Sequence, residues 1–195
     1  MSHLGRCYAC FRPKESCYCS SIPQIDNRTD VLILQHWRER FHPFNTARIV
    51  QRALLKSQLL ADHTPNLEKQ LQLQPHAGLL YPGRSAMLIS DLAPDQRPAQ
   101  LVVLDGTWNQ AKTLLRDLPA LHALPRYRLA PTAPSRYRIR REPNDSSLST
   151  IEAAVAALRI LEPETVGFDQ LLRAFDTMVD VQLAHSGSAA GQRIV

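Results

Sequence analysis

Leu101-Val102-Val103-Leu104-Asp105-Gly106-Thr107-Trp108 is the stretch that decides the fold. Four consecutive apolar residues, with two valines at the centre, predict a strand buried on both faces. The strand runs directly into an acid, a glycine and a hydroxyl residue. A helical pattern then follows, with Trp108, Ala111, Leu114, Leu115 and Leu118 at helical spacing. A strand that feeds a helix through a short polar turn is the repeating unit of a parallel α/β sheet. Upstream, Asp30-Val31-Leu32-Ile33-Leu34-Gln35-His36 is another buried strand. An amphipathic stretch from Asn45-Thr46 to about Ala61 places Ile49, Val50, Ala53, Leu54 and Leu60 on one face. Gly78-Leu79-Leu80-Tyr81-Pro82 is a short strand stopped by Pro82-Gly83. Downstream, Tyr127–Ala130 and Arg136–Arg140 predict two short strands, and Ser149–Leu161 and Phe168–Ala184 two helices.

The expected fold class is therefore α/β, a mostly parallel sheet with helices on both faces. Ligands of such sheets bind beyond the carboxyl ends of the strands. Pro82–Ser85 and Asp105–Trp108 both follow strands directly and so share one functional edge. The sequence has no G-x-G-x-x-G and no Walker lysine pattern, which disfavours an ordinary Rossmann methyltransferase or an NTPase.

A length of 195 residues fits one domain, and 44% apolar residues leave enough material for a sizeable core. No run approaches the roughly 18 apolar residues of a membrane span, and the first residues are polar and Cys-rich, unlike a secretory signal. The expectation is a cytoplasmic protein without a membrane partner; the oligomeric state is left open. Lys+Arg 23 against Asp+Glu 18 gives a net charge of +5. Only Lys14, Lys56, Lys69 and Lys112 are lysines, so arginine dominates. A GC-rich genome alone produces such a bias, and position decides what it means. Arg126, Arg128, Arg136, Arg138, Arg140 and Arg141 fall in one acid-free stretch with Tyr127 and Tyr137 between them, while Glu162–Asp180 is acidic. Guanidinium groups track phosphates and rings stack on unpaired bases, so Arg126, Arg136, Arg138, Arg140 and Arg141 are candidate RNA contacts. The plainer alternative is a solvated strand pair.

All four cysteines lie early, as Cys7, Cys10, Cys17 and Cys19 in the spacing C-x2-C-x6-C-x-C. Two close thiolate pairs can wrap one tetrahedral Zn²⁺. Disulfides would need an oxidising compartment, and a redox C-x-x-C normally opens a helix after a strand, whereas this one sits in a loop before any strand. Four cysteine ligands leave no open position, so the ion is expected to be structural, stapling a knuckle too small to fold alone. The domain plan is a knuckle over 1–24, a catalytic domain over 25–185 and a Gly/Ser/Ala-rich flexible tail over 186–195.

Asp105-Gly106-Thr107-Trp108 resembles the D-x-T-W signature of the DTW-domain family of tRNA-uridine aminocarboxypropyltransferases. The resemblance spans nearly the whole chain. It takes in the cysteine cluster, Gln35-His36, Asn45-Thr46-Ala47-Arg48, Leu79-Leu80-Tyr81-Pro82, Tyr137–Pro143 and Leu148–Ala153. Ala47 stands where glycine is usual, and Trp37 follows His36 where proline is common. The resemblance implies a SPOUT-like domain with a C-terminal trefoil knot, a feature that periodicity would never suggest. It also implies transfer of the 3-amino-3-carboxypropyl arm of S-adenosylmethionine, the cosubstrate, to N3 of a uridine in tRNA, with 5′-methylthioadenosine released. Thr46, Leu80, Leu104 and Leu129 match positions that line the cosubstrate in related ribosomal RNA aminocarboxypropyltransferases.

Such a transfer needs an aligned sulfonium, a base for the uridine N3 proton and an unpaired or flipped uridine. Asp105, the only acid in its loop, is the candidate base; its alternative is an Asx turn onto the Thr107 or Trp108 amide. Thr107 is a hydroxyl donor to substrate or a helix N-cap. Trp108 stacks on the flipped base or the adenine, or packs in the core. Ser149-Thr150-Ile151-Glu152 forms a capping box, which favours a structural role for Glu152, while the helix amides at Ser149 can face the cosubstrate carboxylate. Pro82 lies on the same edge. Two other readings stand beside this one: a SPOUT-type RNA methyltransferase, and a non-enzymatic zinc-knuckle RNA-binding protein.

Overall fold

The computed structural model describes residues 5–42, 44–130 and 148–190. Six strands form one sheet: β1 Asp30–His36, β2 Ser57–Asp62, β3 Ala77–Leu80, β4 Met87–Leu88, β5 Gln100–Asp105 and β6 Arg126–Arg128. Their order is β2-β1-β5-β3-β6-β4, and every pairing is parallel. The helices are α1 Thr46–Ala53, α2 Thr64–Gln70, α3 Trp108–Asp117, α4 Thr150–Leu161 and α5 Phe168–Ala190. The deciding strand is thus central, paired with β1 on one side and β3 on the other.

Strand alternation divides the core into two layers. Val31, Ile33, Leu101 and Val103 face α1, α4 and α5, together with Ile25, Ile49, Leu158 and Phe175. Leu32, Leu34, Val102 and Leu79 face the other way, onto Leu67 of α2, Leu114 of α3 and Leu118, the C-cap of α3. Both faces are covered by helices, as apolar runs without alternation require.

The amphipathic stretch expected to reach Ala61 ends at Ala53. Leu54 leaves the helix because the neighbouring backbone captures it: the Ile25 amide donates to the Ala53 carbonyl at 2.8 Å, and the Leu55 amide donates to Ile25 at 3.0 Å. The chain then forms edge strand β2, where of the predicted helix-face residues Leu60 is buried on the α2 side. Helix α2, with Pro65 in its first turn, and the two-residue β4 are additions to the sequence reading. Helix α5 runs to Ala190, beyond the expected end at Ala184; no proline lies between 164 and 190 to stop it. The predicted strand Arg136–Arg140 lies outside the described residues. None of the helices among the described residues is long and apolar enough to cross a membrane.

The cysteine knuckle joins the first core layer. Cys10 and Tyr18 are buried in it, and the short 3-10 turn Cys19–Ser21 touches α5. Buried Arg12 lies between the rings of Tyr18 and Phe44, at 5.4 and 5.3 Å, and donates to Gln182 Oε1 at 3.3 Å.

Candidate active site

Because the sheet is parallel, β1, β3, β5 and β6 all deliver their carboxyl ends to one edge. Asp105 closes β5 there, opposite Gln35 of β1 in register. Its side chain points to the α4 layer and is 8% exposed. Gln35 Nε2 donates to Asp105 Oδ2 at 2.7 Å, and the Thr150 hydroxyl at the start of α4 donates to Asp105 Oδ1. Gln35 is itself fully buried, so its amide depends on the carboxylate for a partner. Arg48 of α1 lies on the same side. Burial works against its charge, and Tyr18 and the Asp105 carboxylate are among the groups that favour it.

Gly106 permits the turn between strand and helix. Its φ is +152°, and a Cβ there would sit 2.9 Å from Gln110 Cβ and Oε1. The next turn is organised by a capping box: the Gln110 backbone N–H donates to Thr107 Oγ1, and Gln110 Oε1 accepts from the Thr107 backbone N–H. Thr107 is thus the N-cap of α3. Trp108 is 40% exposed and meets Tyr81 edge-on at a centroid distance of 6.3 Å. Helical spacing allowed Trp108 a place in the core; as the first residue of α3 it lies at the sheet edge instead. Arg126 acts electrostatically on Tyr81, which groups a cation with these two rings.

At α4, Glu152 Oε2 accepts from the Ser149 amide at 2.9 Å and from its hydroxyl at 2.6 Å. The capping reading of Glu152 therefore holds. Thr46 begins α1 beside its N-cap Asn45, whose Oδ1 accepts from the Arg48 amide at 2.9 Å. Leu80 and Leu129 pack on the α4 side with Asp105, whereas Leu104 packs on the α3 side, so only its backbone belongs to the Asp105 edge. Pro82 is exposed just after β3. Arg136, Arg138, Arg140 and Arg141 lie outside the described residues. Gln35 and Thr150 are the site residues that sequence reasoning gave no role. Gln35 was visible as a polar residue inside an apolar strand, the usual sign of a buried group with a partner.

On the α3 side, His36, Trp37, His63, Thr64, Pro65, Glu68, Thr113 and Asp117 line an open cleft of about 410 Å³. Trp37 stacks on His63 at 4.5 Å. Burial, and then the Arg38 charge, lower the His36 pKa, and its Nδ1 accepts from the Arg38 amide at 3.3 Å. His36 is thus the hydrogen-bonded N-cap of the 3-10 turn Trp37–Glu39.

The four cysteine sulfurs all lie within 4.8 Å of one another. Cys7 Sγ is 3.8 Å from Cys19 Sγ, and Cys10 Sγ is 3.8 Å from Cys17 Sγ. A disulfide needs about 2.05 Å, so these are free thiols. Four metal–sulfur bonds of about 2.3 Å at the tetrahedral angle separate the sulfurs by roughly 3.8 Å. The donor set is therefore positioned to hold one metal ion. The amides of Cys10 and Ala9 point at Cys7 and lower its pKa to about 6, while burial raises Cys10 and Cys19.

Fold and site define a class: a parallel α/β domain with a carboxylate and several helix amino ends at the carboxyl edge, and a four-cysteine knuckle built into one layer. The family model described as the DTW domain matches residues 4–183, and the chain belongs to that family. It is 32% identical over 189 residues to tRNA-uridine aminocarboxypropyltransferase 2 of Drosophila melanogaster, covering 92% of this chain and 75% of the relative. The protein of the same name from Macaca fascicularis is 27% identical, over 92% of this chain and 64% of the relative. tRNA-uridine aminocarboxypropyltransferase A of Arabidopsis thaliana is 25% identical, over 81% of this chain and 73% of the relative. No solved structure matches.

Proposed function

We propose that this protein transfers the 3-amino-3-carboxypropyl arm of S-adenosylmethionine to N3 of a uridine in tRNA, releasing 5′-methylthioadenosine. The observation that carries the reading is the placement of Asp105-Gly106-Thr107-Trp108 at the carboxyl edge of the sheet in a DTW-family chain. The names of its relatives supply the reaction class.

A bond forms between N3 and the arm's methylene, the bond from that methylene to sulfur breaks, and the electron pair stays on sulfur. The sulfonium supplies the leaving group; the protein must orient the partners and take the N3 proton. Asp105 receives that proton at Oδ1, the oxygen bonded by the rotatable Thr150 hydroxyl, while Gln35 holds Oδ2. Helix α4 starts at Asp105 through Thr150, and α1 brings the Arg48 charge to bear on the same carboxylate; the positive end of α4 suits the arm's carboxylate. Thr46, Leu80, Leu129, Ser149 and the backbone of Leu104 form the cosubstrate wall, with Pro82 at its rim. Thr107 fixes the start of α3, and Trp108 offers an exposed ring to the flipped uridine. Arg126, with Arg136, Arg138, Arg140 and Arg141, binds phosphates.

Cys7, Cys10, Cys17 and Cys19 hold a structural Zn²⁺, which would cross-link the knuckle to the first core layer. The SPOUT-like knot, the division into 1–24, 25–185 and 186–195, and a cytoplasmic location alongside tRNA complete the proposal. The test incubates purified protein with unmodified tRNA and S-adenosylmethionine, followed by nucleoside mass spectrometry. Methylthioadenosine and an N3-substituted uridine are expected. S-adenosylhomocysteine would make the protein a methyltransferase, and binding without turnover would make it an RNA-binding protein.

A further inference from the structure

Phe11 follows the second cysteine of the knuckle in a left-handed conformation, with φ of +59°. A bulky residue there is strained, and glycine would satisfy the same turn at lower cost. The ring does not offset this strain by burial, since Phe11 is 37% exposed. Strain that packing does not explain points to use of the side chain.

The surroundings indicate what that use is. Phe11 meets Phe41 edge-on at 5.9 Å, and Phe41 is 69% exposed, so two rings without any core role sit together at the surface. Each has a guanidinium over it: Arg48 at 4.5 Å from the Phe11 centroid and Arg40 at 5.4 Å from that of Phe41. The Arg48 side chain donates to the Arg40 carbonyl, tying the two halves into one unit. No acid occurs from Arg40 through Ala61. The same Arg48 feels the charge of Asp105, so the patch adjoins the candidate catalytic edge.

Exposed rings interleaved with arginines match a single-stranded nucleic acid, whose bases offer π faces and whose phosphates offer negative charge. We propose that Phe11 and Phe41, backed by Arg48 and Arg40, form a stacking platform for unpaired nucleotides of the RNA acceptor next to the modified base. The platform rests on the tRNA-modifying reading for the identity of its RNA. It gives the knuckle a task besides stapling the fold.

The test compares wild-type protein with Phe11→Gly, Phe41→Ala and the double variant, all as full chains with zinc. Binding of an unmodified tRNA transcript is followed by fluorescence polarisation across a salt series. Each ring removed should weaken binding roughly 5- to 150-fold, the range for removal of one base–aromatic stack. The salt slope should stay unchanged, because the arginines that meet the phosphates are untouched. Phe11→Gly relieves the turn, so its zinc content and melting temperature should equal or exceed wild type. A double variant that keeps its fold and binds as tightly as wild type overturns the platform, and leaves the surface to a protein partner. Weakening that tracks zinc loss or a lower melting temperature overturns it as well. Methylthioadenosine release by the wild type is scored in parallel: its absence defeats the transferase reading, whereas ring-dependent binding bears on the platform alone.

Discussion

Asp105→Asn separates the chemistry of the site from its architecture. In the structure Asp105 Oδ2 accepts from Gln35 and Oδ1 accepts from Thr150. An asparagine can turn its carbonyl oxygen to Gln35 Nε2 and present its amide to Thr150 Oγ1, since a hydroxyl also accepts. Both bonds survive, but as neutral ones. Bonds to a charged partner contribute about 1.5–3 kcal/mol and neutral ones about 0.5–1.5 kcal/mol, so the two changes together cost on the order of 1–3 kcal/mol. Removing a buried charge returns part of that. The melting temperature should therefore fall by no more than about 10 °C. Asp105→Ala is a poorer probe because it strands the fully buried Gln35 amide. If Asp105 takes the N3 proton, the Asn variant should lose about 10²–10⁴ in rate. The assay is single-turnover methylthioadenosine release from unmodified tRNA at saturating cosubstrate, at a temperature where the variant is folded. The residual rate should climb with pH as the uridine ionises without help. Near-wild-type turnover would refute the assignment and leave Asp105 as a brace between β1, β5 and α4.

Metal analysis of protein purified without added metal should find about one zinc per chain. Cys10→Ser should release the metal and lower the melting temperature of the whole domain, because Cys10 is buried with α5 residues in one core layer; zinc near zero with intact thiols would dismiss the site. Gly106→Ala forces a Cβ against Gln110 at an unfavourable φ, so a loss of roughly 1–3 kcal/mol in chemical denaturation is expected. Replacing Arg138 and Arg140 together by Ala should reduce the salt slope of tRNA binding by about one unit for each phosphate no longer neutralised; an unchanged slope would make them a solvated face.

The parts of the fold that were legible in the sequence are those whose local signals agree with their surroundings. The strands β1 and β5 are apolar runs because they are central and covered twice. Helix α4 announces itself by Ser149 and Glu152, and the capping box is there in the structure. Strand β2 was illegible for a physical reason. It is an edge strand with only Leu60 buried, so it lacks both an apolar run and alternation, and Leu60 continues the helical spacing of α1 by coincidence. What ends α1 is the backbone of Ile25, distant in sequence and invisible to any local window. The site divides the same way. Asp105 and the cysteines stand out by residue type and spacing. The partners of Asp105 come from β1 and α4, and only the register of the sheet brings them together.

The sandwiching of Arg12 and its bond to Gln182 have a consequence for synthesis. The two residues are 170 positions apart. Cys10 and Tyr18 share their core layer with Leu171, Phe175 and Met178, which are translated far later. The knuckle is synthesised well before α5, but it cannot dock until α5 has emerged. Contacts of such long range slow folding, and the nascent chain must shield the exposed face of β1 and β5 in the meantime. Assembly of this layer therefore waits for α5, and a chain stopped before α5 should be held by chaperones or degraded, never released as a working fragment.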